Sequence, residues 1–167
     1  MLIVDMLNDF VREGAVLEVP AAREIIPCIK QKINEARESN YPIIYLCDQH
    51  DENDEEFKLY PPHAIAGSWG GEVIEELKPK EGDYVIPKTR FSGFYKTELE
   101  DLLEELKVNH LIITGTVTNI CVLYTVADAV MRGYRVTVPV NCVAGLNKED
   151  HNFALRQMRE VLKVELI

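Results

Sequence analysis

No apolar run in this 167-residue chain is longer than a β-strand needs, so nothing in it would cross a bilayer as a helix. Basic residues are outnumbered, 18 Lys and Arg against 28 Asp and Glu, and with a formal net charge of −10 and no basic aromatic cluster a nucleic-acid partner is excluded. The four cysteines, Cys28, Cys47, Cys121 and Cys142, have no CxxC spacing, so a disulfide framework is not expected. Repeats and low-complexity segments are absent as well. The opening residues, MLIVDM, read as a strand rather than a charged leader, so a cytoplasmic location without membrane attachment is expected. What is present, 47% hydrophobic and 28% charged residues, suits one globular domain over 1–167.

Short β-branched runs alternate with amphipathic stretches. Strands are expected at Leu2–Asp5, Ile43–Cys47, Tyr84–Pro87, His110–Thr114, Arg135–Val138 and Lys163–Ile167, and helices at Ala22–Ser39, Gly71–Leu77, Thr97–Leu106, Asn119–Arg132 and Lys148–Leu162. Breaks fall at Gly82-Asp83, Gly133 and Gly145-Leu146-Asn147. This alternation predicts a three-layer αβα, Rossmann-like fold with a six-stranded, mostly parallel sheet, and ligands beyond the carboxyl ends of the strands. The long irregular stretch Asp48 to Gly70 has the length of a functional loop.

Cys121 sits where the strand ending at Thr114 gives way to a helical pattern. Free N–H groups and the helix dipole favour a thiolate there, and a thiolate is a nucleophile. Asp5 closes the first strand, Asp48 the second, and Lys88 follows the third, so an open parallel sheet gathers them in one crevice with Cys121. In such a cluster a carboxylate takes the thiol proton, an ammonium steadies sulfur and carboxylate, and backbone N–H groups of the turn Thr116–Ile120 receive an oxyanion. The other cysteines read as small buried hydrophobes. Asp48-x-His50 with His63 reads either as a ligand set for Zn²⁺, Mn²⁺ or Fe²⁺ or as loop solvation, and spacing alone leaves both open. The acids Asp51, Glu52, Asp54, Glu55 and Glu56 read as solvated loop, and His110 and His151 as structural.

Four separated motifs resemble those of the isochorismatase-like cysteine hydrolases, and within them the nicotinamidases. They are Leu2-Ile3-Val4-Asp5-Met6-Leu7-Asn8-Asp9-Phe10, Pro87-Lys88-Thr89-Arg90-Phe91-Ser92-Gly93-Phe94, Gly115-Thr116-Val117-Thr118-Asn119-Ile120-Cys121-Val122, and Asp48-x-His50 with Pro62-His63 followed by Gly67. The resemblance implies an Asp5–Lys88–Cys121 triad, a thioester acyl-enzyme, oxyanion donors at the Val117 and Cys121 amides, and a cis peptide at Thr116–Val117. It also implies a divalent metal, Zn²⁺ first with Mn²⁺ or Fe²⁺ as alternatives, held by Asp48, His50 and His63, and an oligomeric state. The segment Ala64-Ile65-Ala66-Gly67-Ser68-Trp69 departs from the pattern of cysteine, a β-branched residue and glutamine usual after the second histidine. Phe10, Trp69, Phe91 and Tyr95 are candidates to sandwich a planar substrate, or else packing residues.

The expected function is therefore a hydrolase of a linear amide C–N bond, converting nicotinamide to nicotinate and ammonia. Two alternatives stand beside it. One keeps the fold and nucleophile but takes another small amide, an N-carbamoyl compound or an isochorismate-like substrate. The other is a non-catalytic scaffold or thiol redox protein, against which the Asp5, Lys88 and Cys121 set and the missing CxxC partner both argue.

Overall fold

β1 (Leu2–Val4) is apolar and buried at every position, as a strand covered on both faces should be. It lies between β2 (Ile44–Asp48) and β4 (His110–Thr116), with Leu2 in register with Ile44 on one side and Ile113 on the other. The structure, a computed structural model, describes residues 1–167. Its sheet runs β3-β2-β1-β4-β5-β7, where β3 is Tyr84–Lys88, β5 Arg135–Val138 and β7 Glu165–Leu166, and a two-residue strand β6 (Val143–Ala144) adds to the end of β4. Every pairing is parallel. The sheet has seven strands rather than six because residues 143–144, outside every expected strand, pair with Gly115 and Thr116. Pro87 lies in a strand without disrupting the sheet because β3 is an edge.

Alternation along the strands sends successive side chains to opposite faces. Leu2, Val4, Ile44 and Leu46 pack with Leu99 and Leu103 of α3 (Leu99–Glu105) and with Val126 and Ala129 of α4 (Leu123–Met131). Ala154 of α5 (Lys148–Arg156) joins the same core. Ile3 and Tyr45 face the other way, onto Ile29, Ile33 and Ala36, which recur at helical spacing on α2 (Ile26–Glu38). Helices therefore cover both faces, in a three-layer α/β architecture. No helix is long and apolar enough to cross a membrane.

Several elements differ from the sequence reading, each for a local reason. α2 begins at Ile26 instead of Ala22 because Pro27 has no N–H to give and is tolerated only in the first turn. Gly71–Leu77 is not a helix. Leu7 pairs there with Val73 in an isolated bridge and the backbone of Met6 takes the Ile74 amide, leaving only short turns at 69–71 and 75–77. The single-turn helix α1 (Asn8–Val11) was too short for its period to register.

Cys28 and Cys142 correct the reduced-thiol expectation that accompanied the cytoplasmic reading. They are bonded, tying α2 to the segment after β5 across 114 positions, with Cα atoms 5.4 Å apart. A cross-link closing so long a loop restricts the unfolded chain strongly. Replacing both with Ala is expected to lower the unfolding free energy in non-reducing buffer by about 2–5 kcal/mol, read from urea midpoints. An unchanged midpoint would contradict the bond's structural role. Cys47 and Cys121 remain free and buried.

Candidate active site

β1 ends at Val4, and Asp5 turns the chain out of the sheet with φ at +49°, a conformation Asp tolerates better than most residues. Its N–H donates to Leu46 O at 2.9 Å, and its Oδ1 accepts from the Asp48 amide at 2.8 Å. The β2–β3 register sets Asp48 beside Lys88. The Lys88 ammonium thus lies between two carboxylates, 2.8 Å from Asp5 Oδ2 and in contact with Asp48 Oδ1, and 3.6 Å from Cys121 Sγ. All four residues are at most 5% exposed.

The sulfur reaches this cluster from β4. Gly115 has φ +113°, and a Cβ there would lie 2.0 Å from Val4 O, so β1 and β4 come this close only because residue 115 is Gly. The Thr116–Val117 peptide is cis. Thr118–Val122 then forms a π-helical turn whose Ile120 and Val122 amides donate to Val117 O, at 3.0 and 3.2 Å, before α4 begins. Thr118 Oγ1 lies 2.9 Å from His151 Nδ1, which joins α5 to the turn. His110 bonds Thr137 at 2.8 Å, on the adjacent strand β5.

Burial is the largest influence on each of the four groups. With the Asp48 charge it pushes Asp5 up to about 6, against the pull of Lys88. It would lower Lys88, but Asp48 and Asp5 together hold the ammonium well above its ordinary value. It also opposes ionisation of Asp48, where Lys88 prevails and the pKa is lowered. For Cys121, burial raises the thiol well above its usual range; Lys88 opposes this while Asp5 and Asp48 add to it. Burial and the two carboxylates thus work against the thiolate that the helix start favours, and Lys88 works for it. Two carboxylates and a buried setting outweigh a dipole contribution of about 0.3–1 kcal/mol.

A second set adjoins the first. His50 extends β2, with its N–H on Ala64 O at 3.0 Å and its O accepting from Ala66 at 2.9 Å, so His63 is carried directly alongside. The two imidazole centroids are 4.8 Å apart. His63 Nδ1 donates to Pro61 O at 2.8 Å, and His50 Nδ1 lies 3.1 Å from Asp54 Oδ2. Those outer bonds leave both Nε2 atoms facing Asp48 Oδ2, at 3.9 Å from His50 and 3.8 Å from His63. His50 Nε2 is buried with no hydrogen-bond partner. An orphaned imidazole nitrogen, a second oriented one and a carboxylate, with one ligand atom from each within 4.8 Å of the others, form a donor set that fits a divalent cation. Burial would depress His50, yet Asp48 and Asp54 hold it above its ordinary value, a sign of how negative this corner is.

Of the acidic run, Asp51, Glu52 and Glu55 are exposed, whereas Asp54 and Glu56 do more than solvate the loop. Asp54 caps the turn at 55–58 through the Glu56 amide (2.8 Å) and joins His50 to Arg90, whose Nη1 is 2.9 Å from Asp54 Oδ1. Glu56 is 7% exposed, and burial reinforced by Asp48 raises its pKa despite His50, His63 and Arg90. The signal was available in part, since Asp two residues before Glu at a turn start is a capping arrangement.

Cys121, Asp48, His63 and Val117 form one wall of a cavity of about 280 Å³. Phe10 and Phe91 line it, with Leu17, Val19, Tyr60, Ile120 and Leu146, which sequence reasoning did not single out. Trp69 and Tyr95 do not line it. Trp69 lies in a short turn fixed through its own carbonyl to Asn8 Nδ2 at 2.8 Å, with 61% of the residue exposed, and Tyr95 is 48% exposed at the turn following Ser92. No Lys or Arg is among the lining residues.

A profile of the Isochorismatase domain matches residues 1–165. The chain is 37% identical over 166 residues to an uncharacterised isochorismatase family protein of Bacillus subtilis, covering 99% of this chain and 91% of that one. Among solved structures it is similar to a pyrazinamidase/nicotinamidase from Streptococcus mutans, with a TM-score of 0.94 at 33% identity, covering 99% and 98% of the two chains. A pyrazinamidase of Pyrococcus horikoshii in complex with zinc aligns with a TM-score of 0.93 at 29% identity, covering 99% and 96%.

Proposed function

The chain belongs to the isochorismatase family of hydrolases, and we propose that within it this protein is a cysteine-dependent amidase for small neutral carboxamides, with nicotinamide as the leading substrate. One observation carries the reading: Cys121, with Lys88 3.6 Å from its sulfur and Asp5 beyond, lines the same apolar cavity as Asp48 and His63, two members of the convergent set that His50 completes.

Asp5 takes the Cys121 proton as sulfur adds to the carboxamide carbon, so thiolate forms only as the C–S bond does. A base near 6 at rest is suited to both accepting and returning a proton close to neutral pH. The Val117 and Cys121 amides receive the oxyanion. Asp5 then passes its proton to the leaving nitrogen, ammonia departs, and a thioester remains on Cys121. Water attacks that thioester with Asp5 again as base, releasing the acid and restoring the thiol. Lys88 stays protonated throughout and keeps Asp5 and Asp48 from repelling each other. Asp48, His50 and His63 would hold a divalent metal, zinc first among the choices, which would supply Lewis-acid polarisation and an anchor for a ring nitrogen. A pyrazinamidase of the same fold in complex with zinc supports that assignment.

The cavity lining favours the neutral amide over the alternatives. Glu18, Glu56 and Asp48 supply the charge of its side chains, and no Lys or Arg lines it to meet a substrate carboxylate. N-carbamoyl acids and isochorismate-like dianions would be brought beside Glu18 and Glu56 with no basic side chain to offset their charge. Ammonia release by zinc-loaded protein is thus expected from nicotinamide and pyrazinamide, with kcat/KM at least about 100-fold above that for an N-carbamoyl amino acid, the discrimination a buried uncompensated charge produces. The reverse preference would overturn the substrate assignment while leaving the nucleophile in place.

A further inference from the structure

His63 has no strand of its own to hold it. It lies in the loop that follows Pro61-Pro62, and two consecutive residues of α1 close on it from behind. The Phe10 ring meets the His63 imidazole edge-on, with centroids 5.7 Å apart. Asp9 Oδ2 accepts the backbone N–H of Ala64, the next residue, at 2.8 Å. Ala64 needs such a clamp, since it is a non-glycine residue at φ +45° and its own carbonyl is already committed to the His50 amide. Gly70 makes the clamp possible from the far side. A Cβ at 70 would lie 2.1 Å from Asp9 Oδ2, so the carboxylate can sit where it does only against a bare backbone.

We propose that Asp9 is a positioning residue for the metal centre: it fixes the backbone at Ala64, and through it the direction of the His63 Nε2 lone pair. The inference rests on the metal-site reading above. It assigns a task to Asp9, which touches neither the cavity nor any ligand atom, and a reason for Gly70. Without the Asp9 bond, residues 62–65 keep the pairing to His50 but lose the contact that sets the turn after His63. The imidazole then samples orientations in which its lone pair misses the ion. Outer contacts that orient a ligand in this way are worth about 10–100-fold in metal affinity.

The test is Zn²⁺ affinity, by competition with a chromophoric chelator, on the purified wild type and on Asp9→Ala, Asp9→Asn and Gly70→Ala. Thermal unfolding of each metal-free protein is run alongside. Asp9→Ala and Gly70→Ala are expected to bind Zn²⁺ about 10–100-fold more weakly, whereas Asp9→Asn, whose amide oxygen still accepts from Ala64, stays within about threefold of wild type. A purely structural role for Asp9 predicts lower melting temperatures with unaltered zinc affinity, and that result would overturn the proposal. If Asp9→Ala does not fold, Gly70→Ala against Asp9→Asn decides the question by the same criterion. Wild-type protein that binds no Zn²⁺ would remove the metal-site reading itself, and this inference with it; tight binding by wild type and all variants would remove this inference alone.

Discussion

Cys121→Ala is expected to keep its fold and lose essentially all turnover, with kcat for nicotinamide falling by at least about 10⁴-fold, the scale on which removal of an enzyme nucleophile acts. The structural side follows from how little the sulfur supports. Its thiol packs as a small apolar group, and its polar partners, Asp5 and Lys88, keep each other at 2.8 Å when it is gone. A melting temperature close to wild type together with abolished ammonia release separates chemistry from folding. Retained activity would show that water is activated elsewhere, with the Asp48, His50 and His63 corner the first place to look.

Lys88→Met has a different expected signature, because it fails twice. The ammonium is fully buried between Asp5 and Asp48, and Met restores its volume and none of its charge. In the metal-free protein two carboxylates then face each other without the ammonium between them, at an expected cost of about 3–5 kcal/mol in unfolding free energy, the range for leaving a buried charge unpaired. Any folded fraction should be inactive as well. One of the two acids must then take up a proton, and if that acid is Asp5 it can no longer accept one from sulfur. Urea midpoints and ammonia release test the two halves separately. A variant as stable as wild type would mean that Lys88 does not hold the carboxylates together, and an active one that Asp5 works without it.

The parts of this arrangement that could be read from the sequence are those that follow from strand order. Asp5, Asp48 and Lys88 stand at the ends of apolar runs, and a parallel sheet gathers such ends at one edge, so their meeting follows from topology. Cys121 joins them because β4 lies next to β1. Side-chain direction in the loops could not be read in the same way. Trp69 and Phe10 are equally aromatic, yet one is turned outward by a hydrogen bond to its own carbonyl and the other is packed against His63. Glu56 looked like its acidic neighbours because composition does not show that Asp54 folds the turn that buries it. The Cys28–Cys142 bond joins residues 114 positions apart through packing that no local pattern encodes. The charges around Cys121 were hidden for a related reason: a helix start is visible in sequence, whereas two carboxylates and one ammonium gathered at a buried sulfur appear only once the chain is folded.

The most direct test of the account is acid-quenched intact-mass and peptide analysis of zinc-loaded protein during turnover of nicotinamide, paired with the same experiment on Cys121→Ala. The account predicts a nicotinoyl group on the peptide carrying Cys121 in wild type, and neither adduct nor ammonia in the variant. Ammonia released by both proteins at similar rates, with no acyl group on Cys121 at any quench time, would contradict it.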